Sequence, residues 1–329
     1  MNIGIIGLGF MGATHIAGYA KIPGVSVAAV STSNPAVLAG DLSKIGGNIE
    51  FDSSAIDISA AKKYSRWEDL TADPDVDAVD ICLPTDLHTS VSMSALAAGK
   101  HVLCEKPMAL TEADCELMIE AANKNKRVLM IGQVLRFWPE YVALQKFGAS
   151  KKYGAIHSAT FVRQCGLPDW SKWLPVEARS GGATLDLLIH DIDEALLLCG
   201  MPERVSAKKL GDGDGIMATL IYPRGPEVRI QGGWFRPGAP LKMTFQVVAE
   251  RGQMDFSSDG LFLSDTSGQR TKLEPAGPDG YQAEVAYFVE CCRKETEPIR
   301  CTPRSSAQAV QVALRLKQSR SLNGEQIRC

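Results

Sequence analysis

Short apolar runs alternate with amphipathic stretches over the first 130 or so residues. Residues 2–7 (Asn-Ile-Gly-Ile-Ile-Gly) make a β-rich run, a helical stretch covers 12–22, and Val25 to Ser31 reads as a second strand. A helix starts near Pro35. Residues 77–83 read as a strand closed by Pro84, residues 90–98 as a helix ending at Gly99, and residues 101–105 as a strand. A helix over 112–123 and a strand over 127–132 complete the series. Strands separated by helices of about ten residues predict βαβ units, with right-handed crossovers and a parallel sheet.

After residue 133 the pattern changes. Strand-like stretches come one after another at 156–163, 205–210, 215–222, 228–234, 242–250, 252–256 and 260–264. Turn signals separate them, such as Gly-Asp-Gly-Asp-Gly at 211–215 and Pro-Arg-Gly-Pro at 223–226. Successive strands with hairpin turns predict a mostly antiparallel sheet. One long helix, 183–199, interrupts them and is capped by Gly200; helical segments at 282–294 and 305–320 close the chain. The expected fold class is α/β: a doubly wound parallel sheet, then an α+β domain. The expected boundaries are 1–124 and 125–329, with the last helix packing back on the first domain.

Composition narrows the function classes. The 329 residues suggest two domains, at roughly 100–200 residues each. With 35 Lys+Arg against 38 Asp+Glu, the chain lacks the basic excess that phosphate neutralisation needs, so no nucleic-acid partner is expected. No apolar run reaches about 18 residues, so no membrane span is expected. The start, Met-Asn-Ile-Gly-Ile-Ile-Gly, carries no basic stretch before an apolar one, so no secretory signal is expected. The nine cysteines are scattered, without metal-ligand spacing; they read as buried small hydrophobes in a cytoplasmic protein.

Four features carry chemistry. Gly7-Leu8-Gly9-Phe10-Met11-Gly12 comes after a predicted strand and opens a predicted helix, the context in which GxGxxG points to a dinucleotide pyrophosphate. Gly7 permits the turn, Gly9 lets backbone approach phosphate, Gly12 lets helix pack on strand, and the helix N-terminus favours the anion. At the end of the second strand stands Ser31-Thr32-Ser33-Asn34. No carboxylate is there to hold a ribose 2′-hydroxyl or repel a 2′-phosphate, which tilts the cofactor slightly toward NADP within NAD(P). The same residues equally suit capping of the next helix.

Glu105-Lys106-Pro107 ends a parallel strand on the carboxyl side of the sheet, where ligands meet doubly wound folds. A lysine there can hydrogen-bond a substrate hydroxyl and stabilise negative charge on its oxygen, although most loop lysines are simply solvated. In Asp186-Leu187-Leu188-Ile189-His190-Asp191-Ile192-Asp193, Asp186 and His190 are four apart and expected on one helix face, with Asp193 on the same side. Such a pair suits removal of a hydroxyl proton by a group titrating near neutrality. It also suits a structural role, and no third ligand at local spacing supports a metal.

Together these residues resemble the glucose–fructose oxidoreductase, inositol dehydrogenase and MocA-type oxidoreductases, the Gfo/Idh/MocA family. The resemblance runs through the glycine turn with His15 shortly after it, and Pro84 to His88. It continues through Ala-Gly-Lys-His-Val, Glu105-Lys106-Pro107, Arg136-Phe137-Trp138-Pro139, Gly154-Ala155-Ile156 and the Asp186/His190 segment. It implies a Rossmann domain and then a domain with a large open sheet, with Lys106, Asp186 and His190 lining the active site. Leu-Ile-His-Asp-Ile-Asp is similar to the inositol dehydrogenase branch, implying a sugar or cyclic polyol substrate. Thr85-Asp86 departs from the family, where Asn often comes after the proline.

The expected activity is hydride transfer between nicotinamide C4 and a carbinol carbon, in a homodimer or homotetramer. His190 accepts the proton, Lys106 orients the hydroxyl, and Asp186 binds an adjacent one. The cofactor residues on this reading are Gly7, Gly9, Phe10, Met11, Gly12, Ser31, Thr32, Ser33, Pro84, Thr85, His88, Glu105 and Lys106; no metal ligand is assigned. His88 is expected to touch nicotinamide. His15 and His101 are read as structural, and Arg163, Trp170, Lys172 and Trp173 as candidates to reach substrate. Two other readings stay open: glycoside cleavage by transient oxidation, and a nonenzymatic dinucleotide sensor.

Overall fold

The computed structural model describes residues 1–41, 46, 56–150, 152–168 and 170–329. They form two compact units, Met1–Val134 with Asp279–Ala307, and Leu135–Pro278 with Gln308–Cys329.

The first unit is built on six parallel strands: β1 (Asn2–Ile6), β2 (Ser26–Ser31), β3 (Lys62–Tyr64), β4 (Ala78–Ile81), β5 (His101–Glu105) and β6 (Leu129–Gly132). Their order, β3-β2-β1-β4-β5-β6, is that of a dinucleotide-binding doubly wound sheet. Ile5 of β1 lies between Val30 of β2 and Asp80 of β4. Ile3, Ile5, Ile6, Val79, Ile81, Val102, Leu103, Met130 and Ile131 are all buried. Unbroken apolar runs of this kind result from burial on both faces. The helices are α1 (Phe10–Tyr19), α2 (Pro35–Leu38), α3 (Trp67–Thr71), α4 (His88–Ala97) and α5 (Glu112–Asn125). The helix expected from Pro35 is α2 for its described part; residues 42–45 lie outside the described residues. β3 gives no hydrophobic pattern because it is Lys-Lys-Tyr; Lys62 Nζ donates to Asp73 (3.0 Å) and Asp75 (2.7 Å), which tethers this edge strand.

The second unit begins with α6 (Pro139–Ala149) and β7 (Ile156–Gly166), then α7 (Glu177–Ser180), α8 (Gly182–Asp186) and α9 (Ile189–Cys199). Seven further strands come next: β8 (Arg204–Lys209), β9 (Asp214–Ile221), β10 (Glu227–Phe235), β11 (Lys242–Ala249), β12 (Gly252–Ser257), β13 (Gly260–Ser264) and β14 (Arg270–Leu273). Helix α10 (Gly280–Lys294) belongs to the first unit and packs on α1. The chain ends with α11 (Pro303–Ser321) and β15 (Ile327–Arg328). The nine strands pair in the order β14-β13-β12-β11-β7-β10-β9-β8-β15. Among the described residues only the β7–β10 pair of this sheet is parallel.

One face of this sheet is a core of Ala159, Phe161, Ala207, Ile216, Ala218, Val228, Ile230, Phe245, Val247 and Met254, all buried, against which α8 and α9 pack. The other face carries Thr160, Val162, Met217, Thr219, Gln231, Thr244, Gln246 and Val248, half-buried or exposed. Cross-strand register keeps this set together: Met217 lies opposite Gln231, Gln231 opposite Val162, and Val162 opposite Thr244.

The single helix expected over 183–199 is two helices. Leu188 N–H donates to the Ala183 carbonyl five residues back (2.9 Å), and Asp191 N–H donates to Leu188 only three back (3.1 Å). The hydrogen-bond ladder therefore slips between Asp186 and Ile189, an irregularity often found at functional positions. Gly181 and Gly182, at φ +80° and +78°, set the entry to α8. Asp214 Oδ2 accepts from Ala183 N–H (2.7 Å), capping α8 from β9. At the far end Gly200, φ +74°, terminates α9 as expected.

Candidate active site

The glycine turn joins β1 to α1. Gly7 has φ +99°, and its N–H donates to the Ser31 carbonyl (2.9 Å), tying the turn to β2. A Cβ on Gly12 would run into the Gly7 carbonyl oxygen, so this glycine is needed for helix to pack on turn. Gly9 differs. It caps α1 in an extended conformation, φ −93° and ψ −161°, with no side-chain hydrogen bond to the helix end. No atom of the described residues lies within 4 Å of where its Cβ would stand. The first-turn N–H groups of α1 thus border open space, as a pyrophosphate requires. Phe10 and Met11 form the first turn of α1.

At the end of β2, Ser31 is buried, Thr32 half-buried and Ser33 exposed. Asn34 Oδ1 accepts from Ala36 N–H (3.1 Å), so it does cap the short helix α2, and Thr32 Oγ1 accepts from Asn34 N–H (3.2 Å). Pro84 and Thr85 come after β4 on the carboxyl side of the sheet. Thr85 Oγ1 is buried with no hydrogen-bond partner among the described residues. His88 opens α4. Its Nδ1 lies 2.8 Å from the Pro107 carbonyl and its Nε2 2.9 Å from the Leu83 carbonyl. Burial lowers its pKa. Both nitrogens face backbone carbonyl oxygens, of which a neutral ring donates to one, so what His88 presents to any neighbour is ring carbon, and it lies between the end of β4 and the Lys106–Pro107 segment, a cis peptide.

Lys106 stands just past β5 at the carboxyl edge. Its backbone N–H donates to Glu105 Oε2 (3.0 Å). The Glu105 carboxylate reaches into the interior, with Oε1 3.4 Å from His15 Nε2. His15, expected from the sequence to be a packing residue, is fully buried at the centre of a charged cluster. Its Nδ1 is 2.9 Å from Asp80 Oδ2, and its Nε2 is 3.8 Å from Glu284 Oε2. Tyr19 O–H donates to Asp80 (2.9 Å), and Cys82 Sγ donates to Asp80 (3.3 Å). Burial alone pushes the His15 pKa down, but Asp80, helped by Glu105 and Glu284, outweighs it and raises it to about 10. Burial raises Glu105 and, further, Glu284. The donor groups His15/Asp80/Cys82 and His15/Glu105/Glu284 lie close enough to bind a metal ion. A sequence signal for this cluster exists in Asp80 inside an apolar strand and Glu284 beside Val285, Phe288 and Val289 on α10, all buried. Gln133, just past β6, carries no such signal; its buried carboxamide has neither atom bonded among the described residues.

In the second unit Asp186 closes α8 and His190 lies in the first turn of α9, so the expected shared helical face is replaced by two positions flanking the slip. Asp186 is buried and His190 half-buried. Asp193 does not join them. Its carboxylate is gripped by Arg136, Nε to Oδ2 at 2.7 Å and Nη2 to Oδ1 at 2.6 Å. Arg163 likewise grips Asp191 (2.7 and 3.1 Å) and donates to Tyr141 Oη (3.1 Å). Both pairs are buried, and removing one partner would leave an uncompensated charge at a cost of about 3–5 kcal/mol. They anchor α9 and hence His190. Trp170 and Lys172 are exposed, and Trp173 packs on a cluster of Cys165, Leu174, Ala183, Leu187 and Trp234. Glu194 is buried on the same helix; burial, with Asp193 beside it, pushes its pKa up to about 8. No helix among the described residues is long and apolar enough to cross a membrane.

Comparison with known proteins places these features in a family. Residues 1–133 match the model of the GFO/IDH/MocA oxidoreductase family with an NAD-binding Rossmann fold, and residues 141–255 match that family's C-terminal domain. A levoglucosan dehydrogenase of Pseudarthrobacter phenanthrenivorans is 33% identical over 252 residues, 71% of this chain and 57% of the relative. An inositol 2-dehydrogenase of Salmonella paratyphi B is 33% identical over 198 residues, 59% and 53% of the two chains. A myo-inositol 2-dehydrogenase of Thermotoga maritima is 31% identical over 236 residues, 68% and 66%. The matches thus span a little over half the length of the first two relatives. Among solved structures, an aldose-aldose oxidoreductase from Caulobacter crescentus superimposes with TM-score 0.85 at 23% identity, over 100% of this chain and 99% of that one. A levoglucosan dehydrogenase in complex with NADH and levoglucosan gives 0.84 at 21%, over 100% and 98%. At these identities the structures speak for the fold. Because models of one family match both the Rossmann unit and the sheet domain beyond it, the chain belongs to the Gfo/Idh/MocA oxidoreductase family.

Proposed function

We propose that the chain is a nicotinamide-dependent dehydrogenase acting on a carbinol carbon of a sugar or cyclic polyol. One observation carries the reading. A single parallel sheet of order β3-β2-β1-β4-β5-β6 bears at its carboxyl edge both an open-sided glycine turn and a lysine. The names of the relatives, dehydrogenases of inositol and levoglucosan, support the substrate class.

Gly7, Gly9, Phe10, Met11 and Gly12 would hold the pyrophosphate, and Ser31, Thr32 and Ser33 the adenosine ribose. Pro84, Thr85, His88, Glu105 and Lys106 would lie toward the nicotinamide, which when bound supplies the hydride acceptor. His190 takes the hydroxyl proton in the oxidative direction. Lys106 holds the same oxygen and stabilises its developing negative charge, and Asp186 accepts from a neighbouring hydroxyl. The absence of a carboxylate over Ser31–Asn34 leans the choice slightly to NADP.

The test is a panel of cyclic polyols and aldoses with NAD or NADP, read by reduced nicotinamide. Turnover of at least one member, with NADP favoured, is expected. Cofactor binding without turnover across the panel would favour a sensor. Release of the aglycone from a chromogenic glycoside without net cofactor reduction would favour glycoside cleavage.

The outer face of the nine-stranded sheet, with Val162, Met217 and Val248 among threonines and glutamines, suits burial against a second copy in a homodimer or homotetramer. Light scattering at micromolar concentration is expected to give a dimer or tetramer; a monomer would contradict this assignment.

A further inference from the structure

We propose that His15, held as an imidazolium among Asp80, Glu105 and Glu284, is a positioning residue that fixes Glu105 and through it the Lys106 segment. The proposal rests on the assignment of Lys106 as the substrate-orienting lysine.

The geometry is that of a cation enclosed by carboxylates. His15 projects from α1, where Tyr19 one turn later also serves Asp80. β4 contributes Asp80 on the Nδ1 side, with Cys82 Sγ 3.7 Å from that nitrogen. β5 contributes Glu105 on the Nε2 side, and α10 contributes Glu284, with the Tyr281 ring 6.5 Å from the imidazole centroid. His15, Asp80 and Glu284 have no exposure. Neither oxygen of Glu284 has a hydrogen-bond partner among the described residues.

Three carboxylates in one buried pocket cannot all stay ionised beside a neutral imidazole. A charged His15 compensates the carboxylate charge around it, and burial pushes Glu105 and, further, Glu284 toward the neutral form, so that Glu284 stands as the neutral wall of the pocket. This arrangement orients Glu105. Its Oε1 faces His15 while its Oε2 accepts the Lys106 N–H, so one carboxylate spans the cluster and the backbone of the lysine. Gly132, in register with Glu105, leaves room for it: a Cβ there would stand 3.2 Å from Oε1. The network therefore reaches from α1 and α10 to the residue on the carboxyl edge.

Two readouts do not depend on turnover. In ¹⁵N-histidine spectra of the parent protein, both His15 nitrogens are expected to be protonated at pH 8, where ordinary histidines are neutral. In amide ¹H–¹⁵N spectra, the Lys106 N–H, which donates to Glu105 Oε2, is expected to change shift and to exchange faster with solvent in His15→Gln than in the parent. With a turned-over substrate, His15→Gln should lower kcat by about 10- to 10²-fold at nearly unchanged KM and cofactor affinity, the signature of a misplaced group. Glu284→Gln, neutral like the side chain it replaces, should keep the parental pH profile. If His15→Gln fails to fold, Asp80→Asn replaces it and is expected to lower the His15 midpoint.

A neutral His15 at pH 8 would overturn the proposal, as would a Lys106 amide unchanged in shift and exchange in folded His15→Gln. So would one equivalent of a divalent metal in the purified protein, because coordination through Nε2 needs neutral imidazole. A parent without turnover on any sugar or polyol would instead count against the dehydrogenase reading, and the two spectroscopic tests would still decide the role of His15.

Discussion

Gly9→Val is expected to abolish dinucleotide binding while leaving the fold and its thermal midpoint nearly unchanged. The backbone at Gly9, φ −93° and ψ −161°, is extended and accepts a β-branched residue without strain. Beyond its two chain neighbours, no atom of the described residues lies within 4 Å of its Cβ, so the branch of a valine there starts into open space. The space it fills is the space a phosphate needs against the N-terminus of α1. Gly12→Ala is the contrasting control: its Cβ runs into the Gly7 carbonyl oxygen, so that variant is expected to lose stability as well as binding. Titration of both variants with NAD and NADP, beside thermal melts, checks the pair. Parental affinity in Gly9→Val would remove the turn from the cofactor site.

Lys106→Met and His190→Asn should each lower turnover by about 10²-fold or more, the usual scale for positioned acid–base groups. Methionine keeps most of the lysine stem and removes its charge. Asparagine keeps polarity and removes a base that titrates near neutrality. Neither residue is assigned to the pyrophosphate or the adenosine ribose, so cofactor affinity should change little. If both serve one proton transfer, their losses in the double variant fall short of additive. Steady-state rates for the two single variants and the double check this. Near-parental turnover in either single variant removes that residue from the mechanism, and fully additive losses separate the two into different steps.

The strands of the first unit are legible from pattern because burial on both faces makes them apolar throughout: His101–Glu105 is seen where the sequence places it. Lys62–Tyr64 is not legible, since an edge strand of three residues with two lysines has no such signature. Seven of the nine strands of the second unit are found from alternation of core residues such as Phe161 with outer ones such as Val162, six of them within a residue and β7 three residues longer than expected, while the short edge strands β14 and β15 give no such signal. The slip at Leu187–Leu188 escapes a periodicity argument because both sides of it are apolar and four-residue spacing continues across it. Asp193 looks like a further site carboxylate on a helix; its arginine, Arg136, comes from the segment before α6, as Arg163 of β7 comes to Asp191, and only the folded chain reveals the pairings. His15 hides for the same reason, with its partners supplied by β4, β5 and α10.

The central claim, direct hydride transfer from a carbinol carbon under the control of this residue set, is tested most directly by isotope. The fastest substrate in the polyol and aldose panel, deuterated at the carbinol carbon, is incubated with enzyme and oxidised cofactor, and the reduced nicotinamide is read by NMR. The account predicts deuterium at nicotinamide C4, formed by the parent and at least about 10²-fold more slowly by Lys106→Met. Reduced cofactor without the label, or label arriving at the parental rate in Lys106→Met, would contradict it.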